Sequence, residues 1–152
     1  MLKTVLISSA FMLAAANSNA EPKKVSPSVV EQCQAISETF TELSDCLPQM
    51  DIYLSTLDAF SEIYPPEANL LLDECEELNT DSIGTAACLL DAIEKAVSIS
   101  QSLPEGTKID DPIYVPVSDP ARFEALQAAK DAAMAEHPDI RVWYGFSYFP
   151  YK

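Results

Sequence analysis

The sequence predicts a mainly α protein: two disulfide-stapled helical hairpins, four helices in all, then a small C-terminal β-α-β-like element, in a single domain. Three observations carry this. The segments CQAISETFTELSDC (33–46) and CEELNTDSIGTAAC (75–88) share one spacing, a cysteine at each end and twelve residues between. Long Ala-, Leu- and Glu-rich stretches place apolar residues at helical steps, and three glycines in 152 residues disfavour a fold built on tight turns. The texture then changes at DDPIYVPVSDP (110–120), where prolines alternate with β-branched residues.

Residues 1–20 read as a signal peptide. Lys3 supplies the positive region, Val5 to Ala16 the apolar run, and Ser18 and Ala20 the small residues of a cleavage site. The run is shorter than the roughly 20 residues that span a bilayer. A mature chain of about 132 residues suffices for one domain with a modest core. The expected compartment is the periplasm or the exterior, where an even number of cysteines in a small chain reads as a disulfide framework.

Residues 21–104 form the expected duplicated hairpin region. A shift of 42 residues lays VVEQC (29–33) on LLDEC (71–75) and Cys46-Leu47 on Cys88-Leu89. Leu47, Met50, Leu54, Leu57 and Tyr64 share one helical stripe; Ile83, Ala87, Leu90, Ile93 and Val97 form its counterpart. The dipeptide Pro65-Pro66 ends one helix and opens the next, and NTDSIG (79–84) is a turn with capping residues. Helices are therefore expected near 27–44, 46–64, 66–79 and 82–102.

Thirteen residues along one ideal helix rotate by about 220°, so two cysteines so spaced on one straight helix point to nearly opposite faces. A break between Cys75 and Cys88 lets them meet across a hairpin. The favoured pairing is Cys33–Cys46 and Cys75–Cys88, each closing a loop that stabilises by roughly 3 kcal/mol. Pro48 pulls the other way. If it opens its helix, Cys33 and Cys46 lie near opposite ends of the preceding one, and crossed bridges between the units become the better geometry. Redox or zinc chemistry calls for closer-spaced cysteines, so all four are assigned as structural.

Residues 105–152 are expected to run strand, helix, strand, with an aromatic tail. IYVPV (113–117) is the first strand, confined to an edge by Pro116. Asp119-Pro120 starts a helix running to Pro138, with Phe123, Leu126, Ala129 and Ala133 on its apolar face. DIRVWYGF (139–146) is the second strand.

The formal net charge is −15, and no Lys or Arg occurs between Lys24 and Lys95. Such a surface repels nucleic acid and anionic lipid and attracts basic proteins. General acidity of an exported proteome accounts for the same composition. The candidate partner-binding residues are Glu74, Glu76 and Glu77 in the acidic run, and Trp143, Tyr144, Phe146, Tyr148 and Phe149 in the tail. Trp and Tyr are favoured interface anchors, and they also cap cores.

No cofactor or metal site is expected. His137 is the single histidine and reads as a charge complement at a helix end. DECEELNTDSIG has the acids of a calcium loop without their order. The expected function is a non-enzymatic exported binding or accessory protein that docks a larger, basic protein, with no nucleic acid and no membrane insertion after signal cleavage. An inhibitor or immunity-type role against a basic wall hydrolase such as lysozyme is the alternative. EQCQA…TELSDC and its repeat resemble small exported helical lysozyme inhibitors in cysteine spacing, while the intervening spacing and downstream acids depart from them. A carboxylate-dependent hydrolase is the third reading, since an acid-rich chain offers many carboxylate pairs.

Overall fold

The computed structural model describes residues 24–138. The signal peptide, the strand expected at 139–146 and the aromatic residues Trp143, Tyr144, Phe146, Tyr148 and Phe149 lie outside them.

Helix α1 spans Pro27–Ile36, opened by Ser26, whose Oγ accepts from the Val29 backbone N–H, with Pro27 in the first turn. It ends eight residues earlier than its sequence suggests. Ser37, Glu38 and Thr39 break the chain, and α2 (Phe40–Ile63) begins with a capping box. Thr39 Oγ1 accepts from the Glu42 N–H at 3.2 Å, while the Glu42 carboxylate accepts from the N–H groups of Thr39 (3.2 Å) and Glu38 (2.7 Å). The box satisfies backbone donors that a helix start otherwise leaves to water.

Pro48 therefore does not open a helix. It lies inside α2, where it cannot donate to the carbonyl four residues back. Helix continues across it because Cys46, Leu47 and Met50 on either side are fixed by a disulfide and by packing.

The second hairpin repeats the first. After a 3-10 turn at Pro66–Ala68, α3 spans Asn69–Leu78 and α4 spans Ser82–Ser102. The 42-residue shift superposes both ends of α1 on those of α3, and the N-cap of α2, Thr39, on that of α4, Asp81. It also superposes the bridges, Cys33–Cys46 and Cys75–Cys88, each with Cα atoms 5.7 Å apart. With the helix broken between the cysteines of each unit, both bridges close locally and the crossed arrangement does not occur.

The units differ in the cap of their second helices. The third residue of α2 is Glu42, and its counterpart in α4 is Gly84. A Cβ at Gly84 would stand 2.7 Å from Asn79 Oδ1 and 3.1 Å from Asn79 Cβ. The glycine thus leaves room for the Asn79 amide, which donates to the Cys75 carbonyl at 2.8 Å and closes the end of α3.

The β-α-β-like element is not found: the described residues contain no strand. Residues 114–117, expected as an edge strand, form one helical turn, α5 (Tyr114–Val117). Asp111 starts it by accepting from the backbone N–H groups of Ile113 and Tyr114, both at 2.9 Å. These donors stabilise the carboxylate and hold the Asp111 pKa below its ordinary value. A strand needs a neighbouring ladder, whereas this turn is satisfied locally and buries Val117. Helix α6 (Pro120–Ala135) begins as expected, with Asp119 Oδ1 accepting from the Ala121 N–H at 2.9 Å.

Helix α2 is central. It packs most extensively on α6, then on α4 and α1, while α3 packs on α4. This explains why its buried residues, Met50, Ile52, Tyr53, Thr56 and Phe60, exceed the single stripe read from the sequence. The main core gathers Phe60, Tyr64, Leu71, Leu89, Ile93, Val117 and Leu126. A smaller cluster of Val29, Cys33 and Met50 lies under the first bridge, and Ile83 of α4 packs on it. Ser82 Oγ donates to Gln32 Oε1 at 2.7 Å, so the start of α4 is also tied to α1.

Candidate functional site

The acids follow from the helix geometry. In α3, Leu71 and Cys75, four residues apart, turn inward. Asp73, Glu74, Glu76 and Glu77 are left on the exposed side, so the structure brings the three predicted glutamates together on one short helix. Glu31, Glu38, Glu42, Asp45, Asp58, Glu62 and Glu67 are exposed as well. With no base between Lys24 and Lys95, this surface is negative and its acids have no local counter-ion from that stretch. Asp91, near the end of the stretch, pairs with Lys95, the base that bounds it on α4, and both side chains are exposed.

Among the acids between these lysines, Asp51 alone is buried. Its Oδ2 lies 2.9 Å from His137 Nε2, and both side chains are largely shielded from solvent. His137, expected to complement the end of α6, instead reaches across to the middle of α2. Its backbone N–H still donates to the Met134 carbonyl at 3.0 Å. Lys130, on α6 itself, is the buried base among the described residues. Neither Asp51 nor Lys130 stood out in the sequence. A lysine within an alanine-rich helix and an aspartate among many acids carry no local mark of burial.

Apolar side chains are exposed at the hairpin tips. Phe40 is 86 % exposed, Leu78 77 % and Ile36 53 %. Ile36 ends α1 and Leu78 ends α3, equivalent positions under the 42-residue shift.

An open depression of about 730 Å³ lies between the end of α4 and α5, lined by Leu103, Lys108, Asp110, Tyr114 and Val115 among others. The four cysteines are all oxidised and no cysteine is free. No group of three or more His, Cys, Asp or Glu side chains among the described residues is placed to hold a metal ion. No described helix is long and apolar enough to cross a membrane. Two intramolecular disulfides suit an oxidising compartment.

The chain matches no protein-family model, no curated protein and no solved structure.

Proposed function

We propose that this is an exported, periplasmic or secreted, non-enzymatic binding protein whose acidic hairpin surface docks a larger basic protein. One observation carries the reading: Glu74, Glu76 and Glu77 stand together, exposed, on α3, within a stretch of about 70 residues that holds no base. Carboxylates so placed raise the rate of encounter with a cationic partner and disfavour anionic ones. The bridges add rigidity, so the surface is presented without the cost of ordering it on binding.

The test is association kinetics against a basic wall hydrolase, lysozyme, as probe. Association should be fast near 0.01 M salt and fall towards 0.1 M, as the Debye length shrinks from about 30 Å to about 10 Å. Charge reversal at Glu74, Glu76 and Glu77 should remove most of the salt-sensitive gain. Association insensitive to salt and to that reversal would refute the reading. Loss of lysozyme activity in the complex would favour the inhibitor role. Trp143→Ala in a folded variant should weaken binding at any ionic strength, since apolar anchoring is not screened.

A further inference from the structure

The two hairpin tips occupy equivalent positions under the 42-residue shift but differ in side chains and surroundings. In the second, Ser82 opens α4, is half-buried and donates to Gln32 of α1. The next residue, Ile83, packs on Val29, Cys33 and Met50. The start of α4 is thus seated against the first hairpin. The residue equivalent to Ser82 in the first unit is Phe40, which opens α2 and is 86 % exposed, and Ile36, which ends α1 four residues earlier across the break, is 53 % exposed. The position that in unit two bonds to α1 is, in unit one, a larger, apolar and uncovered side chain, while the counterpart of Ile83 is the exposed Thr41. A phenyl ring at the first position of a helix serves no capping purpose, since Thr39 and Glu42 complete the box without it.

We infer that the Ile36/Phe40 tip is an apolar anchor for a cationic amphipathic helix of a partner protein, seated there much as α1 is seated against Ser82 and Ile83. Charge complementarity selects this occupant. Glu38, Glu42 and Asp45 around the tip are exposed, and no base lies within the hairpin. A second copy of this chain, at −15 net charge, would bring like charges together. The arrangement is helix recognition by apolar anchors with acids around them. It rests on the reading that the partner is basic, and adds which element of the fold holds it.

The probe is a labelled amphipathic Leu/Lys peptide, with its leucines on one helical face, beside a scrambled isomer of the same composition. Both are titrated into the full mature protein and its Phe40→Ser variant, which installs the residue of the equivalent position. Fluorescence anisotropy reads affinity, and an unchanged melting temperature shows that the variant folds. Near 0.1 M salt the helical peptide should bind the wild type, and Phe40→Ser should weaken it about tenfold or more, the effect of losing an interface anchor. The scrambled peptide should not distinguish the two proteins. Equal affinity of the helical peptide for both overturns the inference while leaving the acidic surface as a binding site. Failure of both peptides to bind even at low salt refutes the basic-partner reading, and the tip assignment with it. Self-association of the wild type that Phe40→Ser abolishes, seen by sedimentation, assigns the tip to a second copy and overturns the proposal.

Discussion

His137 Nε2 lies 2.9 Å from Asp51 Oδ2, across 86 residues of sequence, and ties the chain just beyond α6 to the middle of α2. The contact sits on the most extensive helix–helix packing in the described fold. It explains how an aspartate is tolerated within the buried surface of the central helix: a buried carboxylate requires partners.

Breaking this pair should loosen α6. His137→Ala is expected to lower unfolding free energy by about 1–3 kcal/mol, the range for leaving a buried polar group short of a partner. Urea melts of His137→Ala, Asp51→Asn and the double variant will read the coupling. Additive effects would show that the contact contributes nothing of its own.

Tyr64 supplies a second prediction. Its ring stacks on Phe60 with centroids 4.8 Å apart, and its hydroxyl is buried without a hydrogen-bond partner. Removing that hydroxyl as Tyr64→Phe should be neutral or stabilise by about 1 kcal/mol, because no bond is lost and a desolvated group is relieved. A loss of more than that in thermal or urea melts would reveal a partner for the hydroxyl.

The same phenol predicts an alkaline response. Burial first, and the Asp119 charge second, push the Tyr64 pKa from 10.0 up to about 12. Between those values the unfolded chain gives up the proton while the folded one keeps it, so stability is fully present below pH 10 and falls as pH rises through 12. The loss is on the order of 2 kcal/mol. Tyr64→Phe should flatten that part of the pH–stability curve relative to wild type.

Gly84→Ala tests the closing of α3. Alanine is ordinarily better than glycine within a helix by about 1 kcal/mol. Here the new methyl meets the Asn79 side chain, which must leave the Cys75 carbonyl. Thermal melts should show no gain for Gly84→Ala, and should show the gain restored when it is made in an Asn79→Ala background.

The bridges give the last prediction. Reduction should add four hydrogens to the intact mass, and proteolysis without reductant should yield 33–46 and 75–88 as separately linked peptides. Replacing either pair by alanine should cost roughly 3 kcal/mol. Cys75 lies in the main core and Cys33 in the smaller cluster, so the second pair is expected to cost more.

Much of the helical framework was local and therefore legible. The 42-residue repeat, the Asp119-Pro120 helix start, the bounds of α4 and the Cys75–Cys88 pairing follow from caps, breakers and apolar spacing, whereas Cys33–Cys46 is favoured against the opposite pull of Pro48. The break at 37–39 was legible too, in Thr39-x-x-Glu42, but the uninterrupted apolar spacing through it reads equally well as one helix. Val115 and Val117 have strand-forming side chains. Their backbone turns helical because Asp111 caps it from four and six residues away in the chain and no strand among the described residues lies alongside. What the tertiary structure alone decided is who meets whom over long separations: Asp51 with His137, Ser82 with Gln32, and Phe40 left outside while its counterpart is seated. Local preference acts through the backbone over a few residues. These contacts are set by how α2, α4 and α6 pack, and packing depends on side chains that no short window of sequence contains together.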